Sequence, residues 1–154
     1  MRETIRWERV FAAAAIGWAS ALLPATLAAS HPRASTASDL FALTVYAVGG
    51  IVCHQLPARS FHLWSAAMPV CARCAGLYAG AGLAAVILLI RGGSRAIGSD
   101  AMRRALAMAA LPTLATLLVE SVTGATPANW IRAGAGVPLG AAVAWAIGSV
   151  THVK

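Results

Sequence analysis

Charge is scarce in this chain. Asp and Glu number five and Lys and Arg twelve in 154 residues, so 11% of the sequence is charged, where soluble domains carry about a quarter. Amphipathic striping is also missing, because the apolar residues fall in long runs. Together these absences exclude water as the solvent for most of the chain and point to lipid. No Pro/Ser-rich linker or low-complexity tract divides the sequence, which leaves residues 1–154 as one transmembrane domain. No repeat of solenoid spacing is present. The formal net charge is +7, yet no basic stripe with interleaved aromatics accompanies it, which excludes a nucleic-acid partner. There are only three cysteines. The odd count excludes a fully paired intramolecular framework and leaves the redox compartment open.

What is present is hydrophobic: 59% of the residues, with a mean hydropathy of +0.73. The first apolar run, Val10 to Ala29, follows Arg2, Arg6 and Arg9 and is long enough to span a bilayer. A secretory signal peptide is the competing reading, with Pro24 and the small residues Ala28, Ala29 and Ser30. The length of the run favours a retained helix. After a polar patch, His31 to Ser38, Asp39 is placed to cap a second helix, Leu40 to Cys53. That helix is short for a crossing and suits a re-entrant or interfacial element. Pro57 to Met68 reads as a loop at the water–lipid interface, with Arg59, His62 and Trp64. Cys71 to Ile90, Ala105 to Thr123 and Trp130 to Val150 read as spanning helices. A basic connector, Arg91 to Arg104, joins the first two of these, and a turn at Gly124 to Asn129 joins the last two. His31 and His62 read as interfacial and His152 as solvated.

The fold class is therefore all-α, an integral membrane bundle of four transmembrane helices plus one short re-entrant or interfacial helix. Five crossings is the alternative. The cations favour the first: five crossings split them six against six, whereas four crossings place eight inside and four outside, in line with the positive-inside tendency. This places residues 53–80 on the outer face of the membrane. Either way, the starts of the third and fifth helices and the end of the fourth share one side. Cys53, His54, Cys71, Arg73, Cys74, Glu120 and Arg132 therefore gather at one membrane face.

The polar chemistry concentrates in Cys53-His54-Gln55-Leu56-Pro57-Ala58-Arg59-Ser60-Phe61 and Pro69-Val70-Cys71-Ala72-Arg73-Cys74-Ala75-Gly76-Leu77-Tyr78. These two stretches resemble the hallmark of a family of prokaryotic membrane proteins known as domain of unknown function 2085. Its pattern is Cys-His-Gln-x-x-x-Arg-Ser-Phe, then Pro-Val-Cys-Ala-Arg-Cys-x-Gly-x-Tyr. Asn129, Arg132, Gly136 and Gly140 fit the family's Asn-x-x-Arg and trailing glycines. Where the family carries an Asp and a Gln in the preceding helix, this chain has Glu120 and Ser121. The resemblance implies a helical membrane fold and picks out these residues, but implies no reaction.

Cys71 and Cys74 stand three apart in a first helical turn, where free N–H groups and the helix dipole stabilise a thiolate. With Cys53 and His54 they form a candidate metal set of soft sulfur and imidazole, suited to zinc or another soft transition metal. Cys53 and His54 are adjacent, so using both requires a break at the helix end, and Pro57 is nearby. A second reading makes Cys71–Cys74 a thiol-redox pair with Cys53 as the resolving thiol. A third treats the cysteines as small buried hydrophobes, with His54 and Gln55 bonding backbone groups at the helix end. Catalytic candidates are Cys71, Cys74 and Glu120, and whether the chain is an enzyme is left open. Arg59, Arg73 and Arg132 face Glu120, either as one Glu–Arg pair plus snorkelling side chains or as an anion site. The second option suits an enzyme or translocator acting on a phosphorylated lipid. Gly76-x-x-x-Gly80 and Gly136-x-x-x-Gly140 predict close packing of the third helix on the fifth. The bilayer, with its anionic lipids, is the expected partner. A homodimer is the weaker use of the glycines.

Overall fold

The computed structural model describes residues 2–31, 35–93 and 98–151. Part of the polar patch (residues 32–34), part of the basic connector (94–97) and His152 lie outside them. The helices are α1 (Arg2–Ser30), α2 (Thr36–Val52), α3 (Ala72–Ile90), α4 (Ser99–Thr123) and α5 (Asn129–Thr151). Between α2 and α3 lie a 3-10 turn, Pro57–Arg59, and a two-residue hairpin that pairs β1 (His62–Leu63) with β2 (Ala66–Ala67). Among the described residues, four helices are long and apolar enough to cross a membrane: α1, α3, α4 and α5.

Helix direction follows from the contacts. A Cβ added at Gly76 would meet Ala133, at Gly80 Val137, at Gly136 Arg73 and at Gly140 Leu77. These pairs advance together, so α3 and α5 run parallel, glycine face to glycine face, as the small-residue spacing predicts. Helix α4 is antiparallel to α5: the Thr113 hydroxyl donates to the Ala135 carbonyl at 2.8 Å, and two turns further along α4 Glu120 meets Arg132, which precedes Ala135. Helix α1 is antiparallel to α3, with Phe11 and Ala12 beside Leu88 and Leu89, and Leu22 beside Ala75 and Ala79.

Helix α2 does not carry the chain across. It begins just after α1 ends, and its Val45 and its cap Cys53 join Leu22 and Ala25 of α1 in one core cluster with Met68 and Val70. At 17 residues it is about 26 Å long. It enters and leaves on the motif face, which makes four crossings. Its start differs from expectation. The cap is Ser35, not Asp39: the Ser35 side chain accepts from the Ser38 N–H at 3.1 Å, and Ser38 answers through the Ser35 N–H. A reciprocal pair satisfies two orphan donors, more than a lone Asp can, so the helix begins four residues earlier.

Lipid accounts for the outer surface. Leu111, Leu114, Leu118 and Val122 recur along α4, all strongly exposed. In water such a stripe would demand a partner, and among acyl chains it needs none.

Candidate functional site

The site is built at the C-terminal end of α2. Cys53 caps that helix in an extended conformation, and Gln55 follows with φ 47, a left-handed value. The break sends neighbouring side chains opposite ways: Cys53 is buried and His54 exposed. Gln55 Nε2 donates to the carbonyls of Tyr46 (2.7 Å) and Pro69 (2.8 Å). One amide thus clamps the end of α2 to the entry of α3. Gly49 leaves room for the clamp, since a Cβ there would collide with the Pro69 carbonyl and the Gln55 amide. The Tyr46 hydroxyl adds a bond to the Ala67 carbonyl.

Cys71 is the N-cap of α3 and Cys74 lies in its first turn. All three cysteines are free, and their sulfur atoms lie within 4.8 Å of one another. Tetrahedral zinc sets its sulfurs about 3.8 Å apart, from Zn–S bonds of about 2.3 Å, so modest side-chain rotation closes the set. The Cys71 N–H donates to Cys53 Sγ at 3.1 Å, a bond that fixes the position of that sulfur beside the start of α3. The Cys71 thiol is pulled down to about 5, first by its hydrogen bond with the Cys74 side chain and further by backbone N–H groups of the first turn, against the opposing effect of burial. His54 lines the same cavity, but its ring is not among the clustered ligand atoms.

Beside the thiols stands a charge cluster. Glu120 Oε1 accepts from Arg73 Nη2 at 2.7 Å and from Arg132 Nε at 2.9 Å. Arg59 approaches Oε2 at 3.7 Å. The side chains are 8% (Glu120), 2% (Arg132), 19% (Arg73) and 44% (Arg59) exposed. The sequence suggested one Glu–Arg pair, and three guanidinium groups converge on the acid instead. It also passed over the supports. Thr116 accepts from Arg73 at 3.3 Å, and Asn129 Nδ2 reaches the Ser60 carbonyl at 2.9 Å, tying the segment after Arg59 to the start of α5. Thr113, Thr116 and Glu120 recur at helical spacing on α4, which is the signal that could have exposed this polar face. Cys53, Cys71, Arg59, Arg73 and Arg132 all line one cavity of about 320 Å³.

The fold and this face define the class: a small polytopic helical membrane protein with cysteine and arginine chemistry gathered at one end of its bundle. The chain belongs to the family described as predicted membrane protein (DUF2085), whose model matches residues 53–146. It is similar to Uncharacterized protein MJ1492 of Methanocaldococcus jannaschii, 50% identical over 38 residues, which is 25% of this chain and 24% of that one. The match thus spans about a quarter of the relative's length. No solved structure matches the chain.

Proposed function

We propose that Cys53, Cys71 and Cys74 form a metal site at the membrane face, with zinc the ion best suited to its donors. The convergence of three free sulfurs from two separate chain segments carries the reading. Three thiolates on a borderline-soft ion would leave one coordination position to another ligand, and the cavity that the cysteines line together with His54 gives room for it. Three protein ligands and an open position is the pattern of zinc sites that act on a bound molecule, and closed sets of four are structural. Glu120 spends Oε1 on two guanidinium groups, so its role is to brace Arg73 and Arg132. Detergent-purified protein is expected to hold about one equivalent of zinc, and Cys71→Ser or Cys74→Ser less than about a tenth. Cobalt-loaded protein should show thiolate charge-transfer absorption. Less than a tenth of an equivalent in the parent, with all three thiols alkylated in the native state, sinks the metal reading. Recovery of a Cys71–Cys74 disulfide puts the thiol-redox reading in its place. That reading is favoured by the spacing of the pair at the cavity.

The site faces the outside of the cell in this proposal, supported by the eight-to-four division of basic residues read from the sequence. In a protein with its three cysteines replaced by Ala, a cysteine at Ser35 is expected to react with a membrane-impermeant maleimide in intact cells. One at Ser99 should react only after permeabilisation. The reverse pattern overturns the orientation.

A further inference from the structure

We infer that the cavity beside the thiols binds a phosphate-type oxyanion, held by the guanidinium groups of Arg59, Arg73 and Arg132. The inference goes beyond the metal reading and does not depend on it. It starts from a surplus of charge and of donors. Three guanidinium groups meet one carboxylate, so positive charge is left over even with one neighbouring thiol ionised. If the thiols hold a divalent ion as three thiolates, that centre carries a single negative charge, and one positive charge still remains.

The donors are in surplus as well. Arg132 is 2% exposed, yet its Nη2 has no hydrogen-bond partner, and neither has the buried Nε of Arg73. Buried N–H groups are seldom left unpaired, least of all on a charged side chain. Both residues line the cavity of about 320 Å³, where a water takes up about 30 Å³, so a phosphate group fits with its hydration. The planar fork of Arg matches two oxygens of a phosphate at once. Arg59, at 44% exposed, lies nearer the mouth, where it can move between Glu120 and an arriving anion. At a membrane face that chemistry is supplied either by the head group of an anionic phospholipid or by phosphate in solution.

Both sources can be tried on the intact protein. One arm titrates inorganic phosphate into detergent-purified protein by calorimetry. The other compares thermal unfolding in phosphatidylcholine nanodiscs with and without phosphatidic acid. Saturable binding in either arm is expected, and the arm that responds names the source. Arg59→Gln leaves the two buried pairs of Glu120 intact, so the fold should survive, and affinity should fall about tenfold. Arg73→Lys, which keeps the charge and loses the fork, should weaken binding by a similar factor. No response of the parent in either arm, or parental affinity in both variants, overturns the site. Parent protein stripped of metal by a chelator should bind the anion as the untreated protein does. Loss of anion binding on stripping would make the anion a ligand of the metal and overturn the separate site. Purified parent that holds no zinc and still binds the anion counts only against the metal reading.

Discussion

Glu120→Gln is expected to destabilise the protein by about 3–5 kcal/mol, the range for stranding a buried charge by removal of its partner. The substitution is nearly isosteric, so packing hardly changes. What changes is that Arg132, almost wholly enclosed, loses the carboxylate that accepts its Nε at 2.9 Å, and Arg73 loses its shorter bond of 2.7 Å. Two cations, one on α3 and one on α5, would then face each other with no acid between them. For a chain of this size the loss corresponds to about 10 °C or more in the unfolding midpoint. Thermal unfolding in detergent checks it. Asp100→Asn is the control, because that acid meets Arg103 at 3.9 Å with both side chains over 80% exposed, and such pairs contribute little. Equal midpoints for the two variants would show that Glu120 does not hold the cluster together.

The second large effect concerns the seam between α3 and α5. Gly76→Ala and Gly140→Ala should each cost about 3 kcal/mol, the upper end of the overpacking range. In each case the new methyl would collide with a backbone carbonyl, that of Ala133 or of Leu77. A backbone atom cannot rotate aside as a side chain can, so the two helices must separate. Separation would also move Arg73 on α3 away from Arg132 on α5, so zinc content and anion affinity should fall together with stability. Gly134→Ala is the matched control. Nothing lies within 4 Å of a Cβ there, and alanine's better helix propensity should leave stability level or slightly raised. If all three alanine variants unfold together, close backbone approach is not what the glycines provide.

Much of this was legible in the sequence, and the reasons differ by element. The long helices are visible because lipid demands unbroken apolar runs. Their ends are less visible: α1 begins at Arg2, not Val10, and α4 at Ser99, not Ala105, since polar residues outside the bilayer continue a helix without penalty. The gathering of Cys53, Cys71, Arg73, Cys74, Glu120 and Arg132 on one face followed from helix direction alone. Which side chains touch did not. The adjacency of Cys53 and His54 concealed that an extended break turns one inward and the other out. The clamp role of Gln55 depends on a left-handed backbone that no spacing rule announces. The hairpin at His62–Ala67 turns through Trp64 and Ser65 with φ 49 and 70, values that favour Gly and Asn, so its sequence gave no turn signal.

The parallel arrangement of α3 and α5 bears on the order in which the molecule is assembled. Parallel neighbours cannot be joined by a short turn, so α4 must be threaded back through the bilayer before α5 exists to pair with α3. During synthesis α1, α2 and α3 can settle with their thiols already together, while the glycine face of α3 waits against acyl chains. The tightest seam in the bundle therefore closes last. Arg73 must likewise enter the membrane before Glu120 has been made to receive it. The late-arriving α4–α5 pair is thus the step at which a slow or failed insertion would leave a charge stranded in lipid.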